Sequence, residues 1–161
     1  MNRNLLEQLY RQFYREIYLY IFSICKNRAA AEDLAQETFL KAILALPDSH
    51  TNTRAWLYTV ARNLTLNAVK KSTRETEEFC EAADASAVDP LSEILQKEQY
   101  RALYRALSKL PALKKEILIM QYFGRLSHKE IAAVLHLRTD NVRALASRGR
   151  KELKKYLEEE S

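Results

Sequence analysis

Two glycines, Gly124 and Gly149, and three prolines, Pro47, Pro90 and Pro111, are all that punctuate 161 residues. Glycine and proline end helices and shape tight turns, so a chain this poor in them folds in long uninterrupted segments. Apolar residues recur at helical spacing, and no strand-like alternation of any length occurs. The expected fold class is therefore all-α. Two isolated glycines cannot build a phosphate-cradling loop, which excludes the nucleotide-binding α/β folds. With 47% hydrophobic residues, 29% charged residues and a net charge of +5, the chain is bounded to one or two small soluble domains.

Leu6, Tyr10, Phe13, Ile17, Ile21 and Ile24 mark one face of a first helix over about residues 4–26, broken at Asn27. A second helix, about 29–46, is expected to bury Leu34, Phe39, Ile43 and Leu46. Glu32, Asp33, Gln36 and Glu37 cluster on its opening turns, where acids complement the helix dipole. Pro47 ends it, residues 47–52 form a polar loop, and Thr53 is positioned to cap a third helix with the core stripe Leu57, Val60, Ala61, Leu64 and Ala68.

The other side of the third helix is unusual. From Arg54 to Arg74 there are five basic residues and no acid. Trp56, Thr59, Asn63, Asn67 and Lys70 fall along one strip. An aromatic and two amides flanked by cations suit the stacking and hydrogen bonding of unpaired bases; the pattern is equally met by Trp56 packed in a core with the rest solvated. From Glu75 to Glu98 the sign reverses, with eight acids against Lys97 alone. The expected organisation is a domain over 1–74, a flexible acidic linker over 75–90 and a second domain over 91–161, with helix resuming near Leu91. About seventeen linker residues reach roughly 56 Å when extended, more than one DNA turn of about 34 Å.

Leu95, Leu103, Leu107 and Leu110 line the next helix. Pro111 starts another, carrying Leu113, Ile117 and Met120 and stopping at Gly124. Residues 126–151 then read as a helix-turn-helix. Ser127 and Glu130 have capping-box spacing, and Ile131, Val134 and Leu135 make an inner face. His136 stands at the turn, in a left-handed position that histidine tolerates better than most residues. Thr139, Asp140 or Asn141 caps the second helix, whose Val142 and Leu145 face inward. Asn141, Arg143, Ala144, Ser147 and Arg148 face outward, toward what would be a major groove. Residues 138–156 hold seven Lys or Arg against two acids, a charge suited to phosphate.

Cys25 and Cys80 lie outside any metal or redox spacing; Cys25 reads as core and Cys80 as an exposed thiol. His50, His128 and His136 have no carboxylate or cysteine at catalytic or ligand spacing. No cofactor and no catalysis are expected. The apolar run 17–25 is too short to cross a bilayer and no signal peptide is present, which fits a cytoplasmic location.

The string AEDLAQETFLKAI (31–43) followed by TRAWLYTVARNLTLNAVKK (53–71) resembles region two of the extracytoplasmic-function sigma factors. Residues 106–153, ALSKLPALKKEILIMQYFGRLSHKEIAAVLHLRTDNVRALASRGRKEL, resemble region four, and the acidic stretch falls where that family has a linker. The resemblance implies a dissociable initiation subunit of bacterial RNA polymerase. It assigns Asp33, Gln36 and Glu37 to the clamp coiled coil of core polymerase. It assigns Arg54, Trp56, Asn63, Asn67 and Lys70, with the 47–52 loop, to melted minus-ten DNA. Asn141, Arg143, Ala144, Ser147 and Arg148 are assigned to the minus-thirty-five duplex. It also implies an anti-sigma antagonist. Two positions depart from the family pattern: His136 replaces the usual turn glycine, and Thr59 stands where many members are basic. The competing reading is a stand-alone helix-turn-helix regulator with an N-terminal dimerisation or sensing domain, which has no need of the acid-free 54–74 helix; a helical adaptor ranks third.

Overall fold

The computed structural model describes residues 3–45, 52–75 and 94–160. These residues form seven helices and no strand. The chain divides into two compact units, Met1–Ala85 and Ser86–Ser161. Unit 1 holds α1 (Arg3–Cys25), α2 (Arg28–Ala45) and α3 (Thr53–Glu75); unit 2 holds α4 (Glu98–Ser108), α5 (Ala112–Tyr122), α6 (His128–Leu135) and α7 (Thr139–Glu160). Leu46, the loop from Pro47 to residue 51, most of the expected linker, Cys80 and the helix start at Leu91 lie outside the described residues.

In unit 1 each helix packs on the other two. The expected stripe of α1 is only part of what it buries. Phe13, Ile17 and Ile21 are in the core, but so are Leu9, Tyr18, Leu19 and Tyr20, because two neighbouring helices cover more than one stripe. Ile24, Leu6 and Tyr10 are half-buried instead. The helix α2 contributes Ala31, Ala35, Thr38, Phe39, Ala42 and Ile43, its small residues letting helix backbones approach closely. Leu34, expected in the core, is half-exposed. Buried Thr38 satisfies its hydroxyl by donating to the Leu34 carbonyl at 2.7 Å. From α3, Leu57, Tyr58, Ala61 and Thr65 are buried, whereas Val60, Leu64 and Ala68 are partly exposed.

Two asparagines set the helix starts. Asn27 does more than end α1: Lys26 takes the left-handed turn at φ 54°, and the Asn27 side-chain oxygen then accepts the Ala30 N–H at 2.9 Å, capping α2. Asn52, not Thr53, caps α3, accepting the Ala55 N–H at 3.0 Å. Thr53 is already helical.

Unit 2 is built around α7, on which α4, α5 and α6 all pack. A Cβ at Gly149 would lie 3.0 Å from Leu118 Cδ1 and 3.5 Å from Lys114 Cβ, so a glycine there lets α7 approach α5 closely. Val142, Ala146 and Leu153 are buried on the same helix; Leu145, expected inward, is half-buried. Residues Leu95–Lys97 are not helical. Arg101 Nη1 donates to the Leu95 and Gln96 carbonyls at 2.7 and 2.9 Å and ties that segment to the first turn of α4. Glu98 accepts from Arg105 and Arg101, and those hydrogen bonds hold its carboxyl below the usual carboxylate range.

The exit from α5 also differs from the glycine rule. Gly124 donates to the Ile119 carbonyl at 3.2 Å, but the left-handed residue is Arg125, at φ 56°. Leu126 is buried just beyond it, and its N–H reaches the Met120 carbonyl at 3.1 Å. The helix-turn-helix starts as its sequence dictates. Ser127 Oγ accepts the Glu130 N–H at 3.1 Å while Glu130 Oε1 accepts the Ser127 N–H at 2.7 Å, closing both halves of the box. His136 is left-handed at φ 57°, ψ 44°, and the Leu137 N–H bonds the Ala132 carbonyl at 3.0 Å.

Ser127→Ala is expected to lower stability by about 1 kcal/mol, the usual worth of an N-cap hydroxyl, read from urea unfolding of the full chain. A midpoint unchanged from wild type would mean the box is energetically silent. Unit 1 carries a second signature. Burial, then the Tyr10 charge, pushes Tyr14 up to about 12. Burial also raises Tyr18, with Glu32 next, and raises Tyr58 well above its ordinary value, with Glu16 next. A raised pKa means stability that is present below the unfolded value near 10 and is lost as pH rises beyond it. Helicity should therefore fall together with the rise of tyrosinate absorbance above pH 10. Full tyrosinate absorbance near pH 10 with helicity intact would contradict this burial.

Candidate nucleic-acid interface

On α2, Asp33, Gln36 and Glu37 are exposed and fall at helical spacings of three and four, on one face. Among the described residues none of the three makes a hydrogen bond or ion pair. Dipole stabilisation does not explain them, because α2 begins at Arg28 and its first turn holds no acid, while the dipole's influence is confined to that turn. Glu32 has a separate task, pairing with Arg28 at 3.3 Å.

Sequence reasoning missed the apolar part of this surface. Leu40 is 53% exposed and Leu44 is 84% exposed on the same helix. Beside Leu40 runs a groove of about 610 Å³ lined by Leu6, Tyr10, Tyr14, Phe39 and Leu40, with Glu7, Arg11, Arg15 and Gln36 as its polar members. The available signal was that α2 carries more large apolar residues than a half-buried helix can hide. Uncovered apolar patches of this kind mark protein interaction sites.

The strip on α3 divides in two. Asn63, Asn67 and Lys70 are exposed, and among the described residues their side chains make no hydrogen bond or ion pair. Trp56 is half-buried, its indole N–H donating to the Ala42 carbonyl at 3.3 Å. It therefore joins the start of α3 to the end of α2 while leaving part of its surface outside. Thr59 turns its hydroxyl back on the Ala55 carbonyl at 3.0 Å. Arg54 is held within the unit: its Nε lies 3.1 Å from Glu16 Oε1 and its guanidinium lies 5.1 Å from the centre of the Phe13 ring. The same Glu16 oxygen accepts the Tyr58 hydroxyl at 3.1 Å.

On α7, Asn141, Arg143, Ala144 and Arg148 are exposed and Ser147 is half-buried, opposite the buried Val142, Ala146 and Gly149. Asp140 lies 3.6 Å from Arg143 and 3.8 Å from Arg138. Both pairs are long and solvent-exposed, so they hold these guanidiniums weakly and leave them able to meet a phosphate or a guanine edge. His136 shapes the turn, and His128 Nε2 lies 3.3 Å from Gln121 Oε1. Among the described residues no group of three or more His, Cys, Asp or Glu could hold a metal ion. No described helix is long and apolar enough to cross a membrane. Cys25 is a buried free thiol, raised by its burial.

Comparison with known proteins matches the sequence to two family models: Sigma-70 region 2 over residues 9–75 and Sigma-70, region 4 over residues 100–153. The chain is 34% identical to RNA polymerase sigma factor YlaC of Bacillus subtilis, covering 97% of this chain and 94% of that protein. It is 28% identical to the ECF RNA polymerase sigma factor SigM of the same organism, covering 92% and 93%. Among solved structures, the sigma factor RpoE in complex with the anti-sigma factor NepR from Bartonella quintana superposes with a TM-score of 0.76 at 24% identity, over 94% of this chain and 96% of that one. That likeness is one of fold. The all-helical pair of units, the two family matches and the near full-length relatives place the chain in the sigma-70 family, as an RNA polymerase sigma factor of the extracytoplasmic-function type.

Proposed function

We propose that the two units divide promoter recognition, unit 1 docking on core RNA polymerase and capturing unpaired minus-ten bases while unit 2 holds the intact minus-thirty-five duplex. The observation that carries this is the coexistence of two different cationic surfaces. One, on α3, presents amides and no acid over residues 54–74; the other, on α7, presents arginines on a helix that a capping box and a left-handed turn orient.

Asp33, Gln36 and Glu37 form the polar part of the polymerase-docking face, and Leu40 and the neighbouring groove supply its apolar part. Interfaces draw most of their energy from such packed apolar centres with a polar rim. Asn63, Asn67 and Lys70 face the single strand, where amides hydrogen-bond base edges and Lys70 follows phosphate. Trp56 contributes its exposed edge, and Arg54 borders the surface from its place on Glu16. In unit 2, Asn141, Arg143, Ala144, Ser147 and Arg148 enter the major groove, and small Ala144 and Ser147 let the helix lie close to the bases. The domain limits follow as 1–74 and 91–161 around the acidic 75–90 segment. The chain adds no catalysis and binds no cofactor: it supplies sequence choice and strand separation to a polymerase that makes the RNA. It works in the cytoplasm, and an anti-sigma protein covering the docking face keeps it silent until needed.

Adding the full chain to sigma-free core polymerase should produce RNA from defined start sites, whereas the chain alone should bind the same DNA weakly. Tight duplex binding and repression without polymerase would instead support a stand-alone regulator. Within the reconstituted system, Arg143→Ala is expected to weaken upstream recognition by about 1 to 3 kcal/mol, the worth of a bidentate base contact. Unchanged promoter discrimination would remove Arg143 from the reading surface. Asn63→Ala should leave initial docking intact and slow melting, as reported by permanganate reactivity of unpaired thymines; normal reactivity would remove Asn63.

A further inference from the structure

The start of α3 is fixed from a helix that lies far away in sequence. Glu16, on α1, directs one carboxylate oxygen at two donors of α3, the Arg54 Nε and the Tyr58 hydroxyl, each at 3.1 Å. Those donors stand four residues apart, so they sit on successive turns of one face. The Glu16 side chain is only 14% exposed and that of Arg54 32%. Around the carboxylate, Phe13 is buried beneath the guanidinium, and Tyr20 packs edge-on against the Tyr58 ring at 5.1 Å. Tyr58 is fully buried, so its hydroxyl needs an acceptor, and its raised pKa keeps the proton that it donates.

We infer that Glu16 is a positioning residue for strand capture: it fixes the first two turns of α3 and thereby aims the exposed amides of Asn63 and Asn67. The inference rests on the reading of α3 given above. Two contacts from one oxygen to two turns restrain both the rotation of α3 about its axis and its tilt against α1. A helix turns 100° per residue, so Asn63 and Asn67, at five and nine residues beyond Tyr58, inherit any rotation set there in full. Loss of the carboxylate charge leaves Arg54 a neutral acceptor that holds it about half as strongly, so the guanidinium can draw the start of α3 toward solvent. Trp56 still joins α3 to the Ala42 carbonyl of α2, so the helix stays in place but loses its aim.

The test uses holoenzyme assembled from core polymerase and the full chain, on a promoter mapped with wild type. Glu16→Gln should bind a single-stranded oligonucleotide of the nontemplate minus-ten sequence about tenfold more weakly and open the duplex about tenfold more slowly. Loss of a charged hydrogen-bond partner is of that order. Affinity for core polymerase and for the upstream duplex should stay within about twofold. Arg54→Gln should behave alike, and the double variant should be no worse than the poorer single one, because the two groups act as a unit. Tyr58→Phe, which deletes only the hydroxyl, should weaken capture without loss of cooperative unfolding. Strand capture by Glu16→Gln equal to wild type would overturn the inference while leaving the reading of α3 standing. Equal losses in assembly, upstream binding and capture would also overturn it, since they signify general destabilisation. A wild-type holoenzyme that fails to capture the strand would bring down the reading and the inference together.

Discussion

Burial of one face of α7 is the constraint on which unit 2 depends. Val142, Ala146, Gly149 and Leu153 lie on its inner side, and α4, α5 and α6 each pack on this helix. The residues proposed to read the duplex occupy the opposite side of the same rod. Scaffold and reader are therefore one element, and the outward residues are positioned by a packed core, not by a loop. That arrangement gives the precision a base contact requires, since a contact depends on donor placement within a few tenths of an ångström. It also means that the buried contact of Leu118 with Gly149 sets how the exposed face of α7 is presented.

Unit 1 uses a different device. Its core is rich in tyrosine: Tyr18, Tyr20 and Tyr58 are almost fully buried, and Tyr10, Tyr14 and Tyr18 continue along α1 with successive ring centres 4.6 and 6.0 Å apart. Aromatic rings bury much area per residue, which suits a small unit with few residues to spare. The polar ends of these rings need placing, and the Glu16 carboxylate takes the Tyr58 hydroxyl while also holding Arg54. The same unit leaves Leu40 and Leu44 uncovered, on the face proposed to dock on polymerase.

The helical character was legible because glycine and proline were scarce and no strand-like alternation occurred, whereas the exact buried stripes were not, since Leu34, Val60, Leu64 and Leu145 are only partly buried. The capping box was legible because Ser127 and Glu130 act locally, three residues apart. The left-handed His136 followed from its place in the turn. Other features depended on contacts made across the fold. Asn52 and Thr53 are both good caps, and only the backbone course shows that Asn52 accepts the N–H while Thr53 is helical. The stop of α5 at Gly124 was legible, but only the backbone course shows that the left-handed residue beyond it is Arg125. The free surface of α7 was visible in the pattern of its charges, because cations there have few local acids to pair with. Arg54 looked equally free for the same reason, but its partner, Glu16, lies 38 positions earlier, beyond the reach of any local pattern. Roles in polymerase and promoter binding came from resemblance; periodicity alone supplied the faces.

Among the described residues three left-handed backbone positions, at Lys26, Arg125 and His136, are filled by residues with side chains. Each such residue gives up some native stability relative to glycine, yet it also narrows the unfolded ensemble that must be ordered on folding. Because the three sit at junctions between helices, they are places where backbone strain and chain entropy trade against each other. The thermal tolerance of the molecule can be tuned there without altering either the buried packing or the outward chemistry.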